Sequence, residues 1–169
     1  MQPRKGHTWA EKLESPAEPR IVRIPEHWAQ TIGRGRMLIL TPRIIQQFLY
    51  KIPKGKIVTV NLIREKFARE YHVETTCPLT TGIFLKIAAE VSEEDAAAGK
   101  NSIAPYWRVL REGGKLNQKY PGGVSRQAEH LRSEGLEVSE GKAETSWKVK
   151  RYAENLMIDQ LDEEKHLNH

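Results

Sequence analysis

The sequence predicts a mostly α-helical protein with one small β-hairpin. Three observations predict it. Apolar residues recur at helical spacing in several separate stretches, Thr-Pro or Cys-Pro pairs stand where two of those stretches begin, and a Gly-Gly pair divides one short β-like segment. At 169 residues the chain fits one domain of ordinary size with an appendage. Composition divides it into an N-terminal basic arm (1–36), a globular domain (37–138) and a C-terminal helical extension (139–169).

Residues 1–36 read as an extended arm, because Pro3, Pro16, Pro19, Pro25, Gly33 and Gly35 break any helical period. Trp9, Ile21, Val22, Ile24 and Trp28 are too apolar for a purely solvated segment, so the arm is expected to lie on the globular part. After the apolar run Met37–Leu40, Thr41 as N-cap with Pro42 at the first helical position opens a helix. Its buried stripe is Ile44, Ile45, Phe48, Leu49 and Ile52. A second helix is expected from about Asn61 to Tyr71, with Leu62, Ile63 and Phe67 inward and Arg64, Lys66 and Arg69 outward.

A third helix follows a short connector, capped by Thr76 or Cys77 with Pro78 in its first turn, and Leu79, Ile83, Ile87 and Val91 recur every fourth residue. Two helices so joined have the layout of a helix-turn-helix, as does any helical hairpin. Residues 92–102 read as a polar link. Residues 107–116 read as the β-hairpin with Gly113-Gly114 at its turn, which would stand behind the helix pair as a wing. A further short helix holds Val124, Ala128 and Leu131 inward with Gly135 at its C-cap, and Val149, Tyr152, Ala153, Leu156, Met157 and Leu161 draw an amphipathic stripe on a C-terminal helix.

Residues 1–58 hold 11 Lys/Arg against four Glu, whereas the remainder holds 16 against 18 acidic residues. Cations gathered in one third suit a polyanion partner, because Lys and Arg beside phosphates release counterions; a merely solvated tail has the same composition. The single cysteine, Cys77, excludes an internal disulfide, and with six scattered histidines it supplies no zinc-ligand spacing, so neither metal nor cofactor is expected. No run approaches the roughly 18 apolar residues of a membrane span, so a cytoplasmic protein without a membrane partner is expected.

The segments "IPKGKIVTVNLIREKF", "PLTTGIFL", "IAPYWRVL" and "KYPGGVSRQAEHLRSEGLEV" stand in an order that resembles the DNA-binding domain of the alkylguanine-DNA alkyltransferases and the alkyltransferase-like proteins. The resemblance covers about Thr41 to Val138. It implies a winged helix-turn-helix, a DNA partner, and a connection with DNA repair and its proteins. In that family a P-C-H-R-V segment carries the cysteine that accepts an alkyl group from a flipped guanine. Pro105, Arg108 and Val109 match the frame of that segment, Tyr120, Gly122 and Gly123 match the pocket loop, and Glu134 matches the carboxylate of the family's charge relay.

The acceptor position itself is Tyr106, and the family's neighbouring histidine is Trp107. Alkyl transfer needs a thiolate near neutral pH, which a phenol with a pKa of about 10 and no adjacent base does not replace. No enzymatic activity is therefore expected at this site. The arginine that the family inserts into the base stack falls on Leu79, and the tyrosine that helps turn the phosphate falls on Val60. An apolar Leu79 can still wedge between bases.

The expected function is non-enzymatic DNA binding, with sensing of modified bases as its extension. Lys54, Lys56, Thr75, Thr76, Leu79, Thr80, Thr81, Lys86 and Arg108 are the candidate DNA contacts, and Pro105, Tyr106, Trp107, Tyr120, Gly122 and Gly123 the candidate base pocket. Tyr106 and Trp107 are read either as a stacking floor for a base or as plain core. Two alternatives stand beside this function: Cys77, at a helix N-terminus, as a relocated alkyl acceptor, and a protein-interaction module with an inert pocket.

Overall fold

The computed structural model describes residues 7–157. Helices dominate it, joined by three small sheets. The core is built on two of the expected helices. In α3 (Pro42–Leu49) the Thr41 hydroxyl accepts from the Ile44 N–H, and Ile45, Phe48 and Leu49 face inward. In α4 (Val60–Glu70) Thr59 caps in the same way, accepting from the Leu62 N–H, and Ile63 and Phe67 are buried. Lys66, expected outward, is buried instead: its ammonium lies over the rings of Phe48 and Phe67 and pairs with Glu70 at 3.0 Å. A lysine stem covers apolar surface well, and ring faces attract its charge, so helical spacing alone misplaced it.

The arm is not extended throughout. It forms α1 (Trp9–Leu13), β1 (Arg20–Arg23), a 3-10 turn running into α2 (Ala29–Ile32), and β2 (Arg36–Ile39). α1 carries a full capping box, Thr8 with Glu11, which is how five residues hold a helix beside so many prolines. β1 pairs antiparallel with β2, and β2 pairs parallel with β4 (Thr75–Thr76), in the order β1-β2-β4. β4 leads straight into α5 (Pro78–Ala97), so the arm's sheet is anchored at the start of that helix, where the Cys77 N–H also bonds the Leu38 carbonyl at 2.8 Å.

α5 is longer than its apolar period suggested. The stretch read as a polar link, from Ser92, continues the helix to Ala97, because its alanines and glutamates are strong helix formers and Ser92 is buried with its hydroxyl donated to the Ala104 carbonyl at 2.8 Å. The stripe on α5 is split as well. Ile87 and Val91 are buried under Trp9 and Leu13 of α1, whereas Leu79 and Ile83 are 58% and 49% exposed.

After a 3-10 turn at Tyr106–Arg108, β5 (Val109–Leu110) pairs in parallel with β3 (Val58–Thr59). The expected hairpin is thereby reduced to a single bridge, Arg111 to Lys115, around the turn that holds Gly113 and Gly114. Gly114 has φ +80° and lies against the Tyr152 ring, where a Cβ would collide, so both its sign and its size are required.

α6 (Gly123–Ser133) buries Val124, Ala128 and Leu131 as its period predicts, and Gly135, φ +88°, follows its end. The C-terminal helix is not formed over its described part. β6 (Val138–Ser139) pairs with β7 (Lys148–Val149), Arg151 takes a left-handed conformation, Tyr152–Asn155 is a 3-10 turn, and Leu156 bridges to Ile57. Pairing with the sheet satisfies backbone groups that a helix would have satisfied internally, and Leu161 lies outside the described residues. Among the described residues no helix is long and apolar enough to cross a membrane.

Candidate functional site

Tyr106 and Trp107 start a 3-10 turn between α5 and α6, and the folding of both helices around that turn encloses them. Tyr106 has no exposed surface. Its ring meets Trp107, Tyr120 and His130 edge-on, at centroid distances of 5.4, 5.1 and 5.9 Å. Its hydroxyl donates to Glu93 Oε1 at 2.6 Å. Burial, and then the Glu93 carboxylate that accepts its proton, push the phenol far above its ordinary pKa. Tyr106 is thus held protonated, the opposite of what a nucleophile needs. A base reaches this ring only by displacing one of the three that surround it.

Trp107 stacks face to face on His130, 4.0 Å between centroids with planes 8° apart, and its indole N–H donates to Glu134 Oε1 at 3.0 Å. Arg108 closes the same carboxylate: Nε donates to Oε1 and Oε2 at 3.1 and 3.0 Å, Nη2 donates to Oε1 at 2.5 Å, and Nη1 turns to the Ile52 carbonyl. Burial works against the charge on Glu134, yet the hydrogen bonds from Arg108 and Trp107 hold its carboxyl below the ordinary range. On the other side Glu93 gathers Tyr106, His130 at 2.9 Å and Arg126 at 3.3 Å, and these bonds outweigh its own burial to lower its carboxyl too. Two carboxylates, each saturated by donors, tie α5, the 3-10 turn and α6 together.

Gln127 was not foreseen. It is fully buried, donates from Nε2 to the carbonyls of Trp107 and Val109 at 3.1 and 3.2 Å, and accepts from the Asn117 N–H at 2.7 Å. Tyr120 donates its hydroxyl to the same Val109 carbonyl at 3.2 Å. A glutamine among apolar helix positions carries no sequence signal beyond the anomaly itself, and here it orders the segment that presents Asn117 and Lys119. Gly122 stands before α6 and Gly123 begins it, next to Tyr120, so the six candidate pocket residues are neighbours, but around filled space.

The candidate DNA contacts separate into two groups. Thr76 and Thr81 have no exposed surface, and their hydroxyls donate to the carbonyls of Arg64 and Cys77 at 2.8 and 2.7 Å; Arg108 is held by Glu134. These three are internal. Thr75 is half-buried against Arg64, and Thr80 Oγ1 is shielded without a hydrogen-bond partner among the described residues. Lys54 and Lys56 are exposed in the turn before β3.

Leu79 and Lys86 share an open groove of about 760 Å³ on the first two turns of α5. Pro78, Leu79, Gly82 and Ile83 form its apolar wall, and Lys86, Arg111, Asn117, Gln118 and Lys119 form its polar side. Arg111 and Lys119, which complete the rim, were missed because the reading followed the helix and not the two loops that approach it. Lys86 Nζ donates to Glu90 Oε1 and to the Lys119 carbonyl, both at 2.9 Å, and lies 5.7 Å from the Trp9 ring. α1 covers the next two rungs of the stripe and leaves this part of the helix open. Cys77 lies just behind the groove, 2% exposed, packed with Ile24 and Met37.

No family model, curated protein or solved structure matches this chain.

Proposed function

We propose that this chain is a non-enzymatic, duplex-DNA-binding protein of the alkyltransferase-like type, in which α4 and α5 act as a helix-turn-helix and the Arg111–Lys115 turn as its wing. The open start of α5 carries this reading. Two large apolar side chains one turn apart stand in water on a stripe whose continuation, Ile87 and Val91, is buried, and cations and amides rim them from a separate loop and turn. Apolar rungs flanked by Lys, Arg, Asn and Gln suit a nucleic-acid groove, whose walls are phosphate and whose floor is base edge and sugar.

The part of the resemblance that concerns modified bases gets no support from the enclosed Tyr106, so the reading is confined to groove and backbone binding. The resemblance links such binding to DNA repair and a repair-protein partner. Cys77, buried and with no base at hydrogen-bond distance among the described residues, gives the alkyl-acceptor reading no support either.

Fluorescence anisotropy with a labelled duplex at low salt tests the proposal. The chain is expected to bind, and the double variant Leu79→Ala, Ile83→Ala to bind at least about tenfold more weakly, which corresponds to ~1.4 kcal/mol. Both side chains are exposed, so thermal stability should change by no more than about 0.5 kcal/mol. Absence of binding by the unaltered chain removes the proposal. A second reading has one observation in its favour: α1 docks on the same stripe, so a helix from a partner protein fits Leu79 and Ile83 as well. Concentration-dependent sedimentation that the double variant abolishes, without DNA binding, would select it.

A further inference from the structure

We infer that β1 is a docking edge, where an extended acidic peptide of a partner protein adds as a fourth strand to the β1-β2-β4 sheet. This goes beyond the duplex-binding reading and does not rest on it, since β1 is the edge opposite β4, the strand that leads into α5. β1 pairs with β2 alone, in the register Arg20 to Ile39 through Arg23 to Arg36. Residues along an antiparallel pair alternate between those that exchange backbone hydrogen bonds and those that do not. Three bonds fix the phase. The Ile24 N–H donates to the Gly35 carbonyl at 2.9 Å, so Val22 and Arg20 bond to β2 as well. Leu38 and Arg36, opposite Ile21 and Arg23, turn the other way: the Leu38 carbonyl accepts from the Cys77 N–H at 2.8 Å, and the Arg36 N–H donates to Glu74 Oε2 at 2.7 Å. The backbone N–H and carbonyl groups of Ile21 and Arg23 therefore point away from the sheet, and they have no partner among the described residues.

Main-chain bonds of this kind give an added strand its affinity, and the side chains along the edge give it specificity. Ile21 is 44% exposed. Arg20 and Arg23 are exposed too and have no ion-pair partner among the described residues, unlike Arg34 and Arg43. A strand laid beside β1 places one residue opposite each of its own, so the complementary order is acidic, apolar, apolar, acidic, which matches in either direction. Arginine on an edge discourages pairing with most strands, and an acidic strand is the exception. Pro19 and Pro25 bound the edge and confine the added strand to a short motif. A second copy of this chain fits less well, because β1 paired antiparallel with itself sets Arg20 against Arg23 twice, and like charges face to face are unfavourable. A nucleic-acid backbone also fits less well: its phosphates only accept, whereas Ile21 and Arg23 offer carbonyls as well as N–H groups.

The probe is a labelled, end-capped peptide, Ser-Glu-Val-Ile-Glu-Ser, added to the full chain at low salt. Binding is read by anisotropy, and deuterium exchange at single amides by NMR. The peptide is expected to bind saturably and, at saturation, to slow exchange at the Ile21 and Arg23 amides by at least about tenfold. Ile21→Pro removes an outward donor and leaves the bonds to β2 in place, so it should weaken binding about fivefold, the worth of one hydrogen bond. Arg20→Gln combined with Arg23→Gln should weaken it by about as much, and lysine in place of both glutamates of the peptide should abolish it. If Ile21→Pro fails to fold, exchange in the unaltered chain still decides. No binding, or binding that leaves both amides exchanging as before, overturns the proposal. Protection of these amides by a DNA duplex, or by raising the concentration of the chain alone, overturns it as well and assigns the edge to nucleic acid or to a second copy. Duplex binding at α5 is measured without the peptide, so either reading can fail while the other stands.

Discussion

At Tyr106 a single buried hydroxyl decides what must stand beside it. A tyrosine buried at this turn needs an acceptor for its hydroxyl, and Glu93, in the last turns of α5, supplies it; the pair then locks the phenol in its neutral form. Sequence alone left the ring divided between stacking floor and core, because the same residue serves either. What decides its environment is the placement of His130 and Tyr120, which comes from the packing of α6.

Glu134 and Arg108 give the residue scale a measurable consequence. The folded carboxyl lies below its ordinary value, so its contribution to stability is complete above the unfolded pKa, near 4.3, and is lost as pH falls through the folded value. Glu134→Gln leaves the Arg108 guanidinium buried without its counter-charge and is expected to cost about 3–5 kcal/mol at pH 7. The difference between variant and unaltered protein should shrink when urea unfolding is repeated near pH 3. An equal loss at both pH values would show that the ion pair is not what Glu134 contributes.

At the scale of elements, α5 holds most of what could be foreseen and most of what could not. Its start, its proline and its fourfold recurrence were legible. That its stripe serves two purposes was not, because Leu79 and Ile83 differ from Ile87 and Val91 only in whether α1 reaches them. The cap at Thr41 was legible, since that interaction lies within four residues, whereas the equivalent caps at Thr59 and Thr8 were not foreseen. The hairpin and the C-terminal helix were misread for the converse reason: β5 pairs with β3, and Leu156 with Ile57, across about fifty and a hundred residues, and local pattern carries no information about such partners.

Gly82 tests the face of α5 as an element. It sits inside a helix with ordinary backbone angles and open space around it, so Gly82→Ala should raise stability by about 0.5–1 kcal/mol, read as a higher melting temperature. The added methyl stands between Leu79 and Ile83 on the surface proposed to meet the duplex, so affinity should fall as stability rises. An unchanged affinity would mean that the helix backbone does not approach the DNA there.

For the whole molecule, the charge of the first third promised more than the fold delivers. Arg34 pairs with Glu26, Arg43 with Glu14, and the Arg36 guanidinium is turned to the His72 carbonyl while its backbone N–H holds Glu74. Arg34 and Arg43 are therefore balanced within the protein, and the cations beside the open groove, Lys86, Arg111 and Lys119, come from later in the chain. A count along the sequence cannot distinguish a paired arginine from a rim lysine, since the pairing crosses elements. Salt titration can. Each phosphate neutralised contributes about −0.9 to the slope of log affinity against log salt, so Arg111 and Lys119, the rim cations other than the Glu90-paired Lys86, predict a slope of about −2. Arg111→Gln and Lys119→Gln should each reduce its magnitude by about 1, while Arg34→Gln, whose partner is Glu26, should leave it unchanged. A slope that responds to Arg34 and ignores Arg111 and Lys119 would move the interface from α5 to the arm.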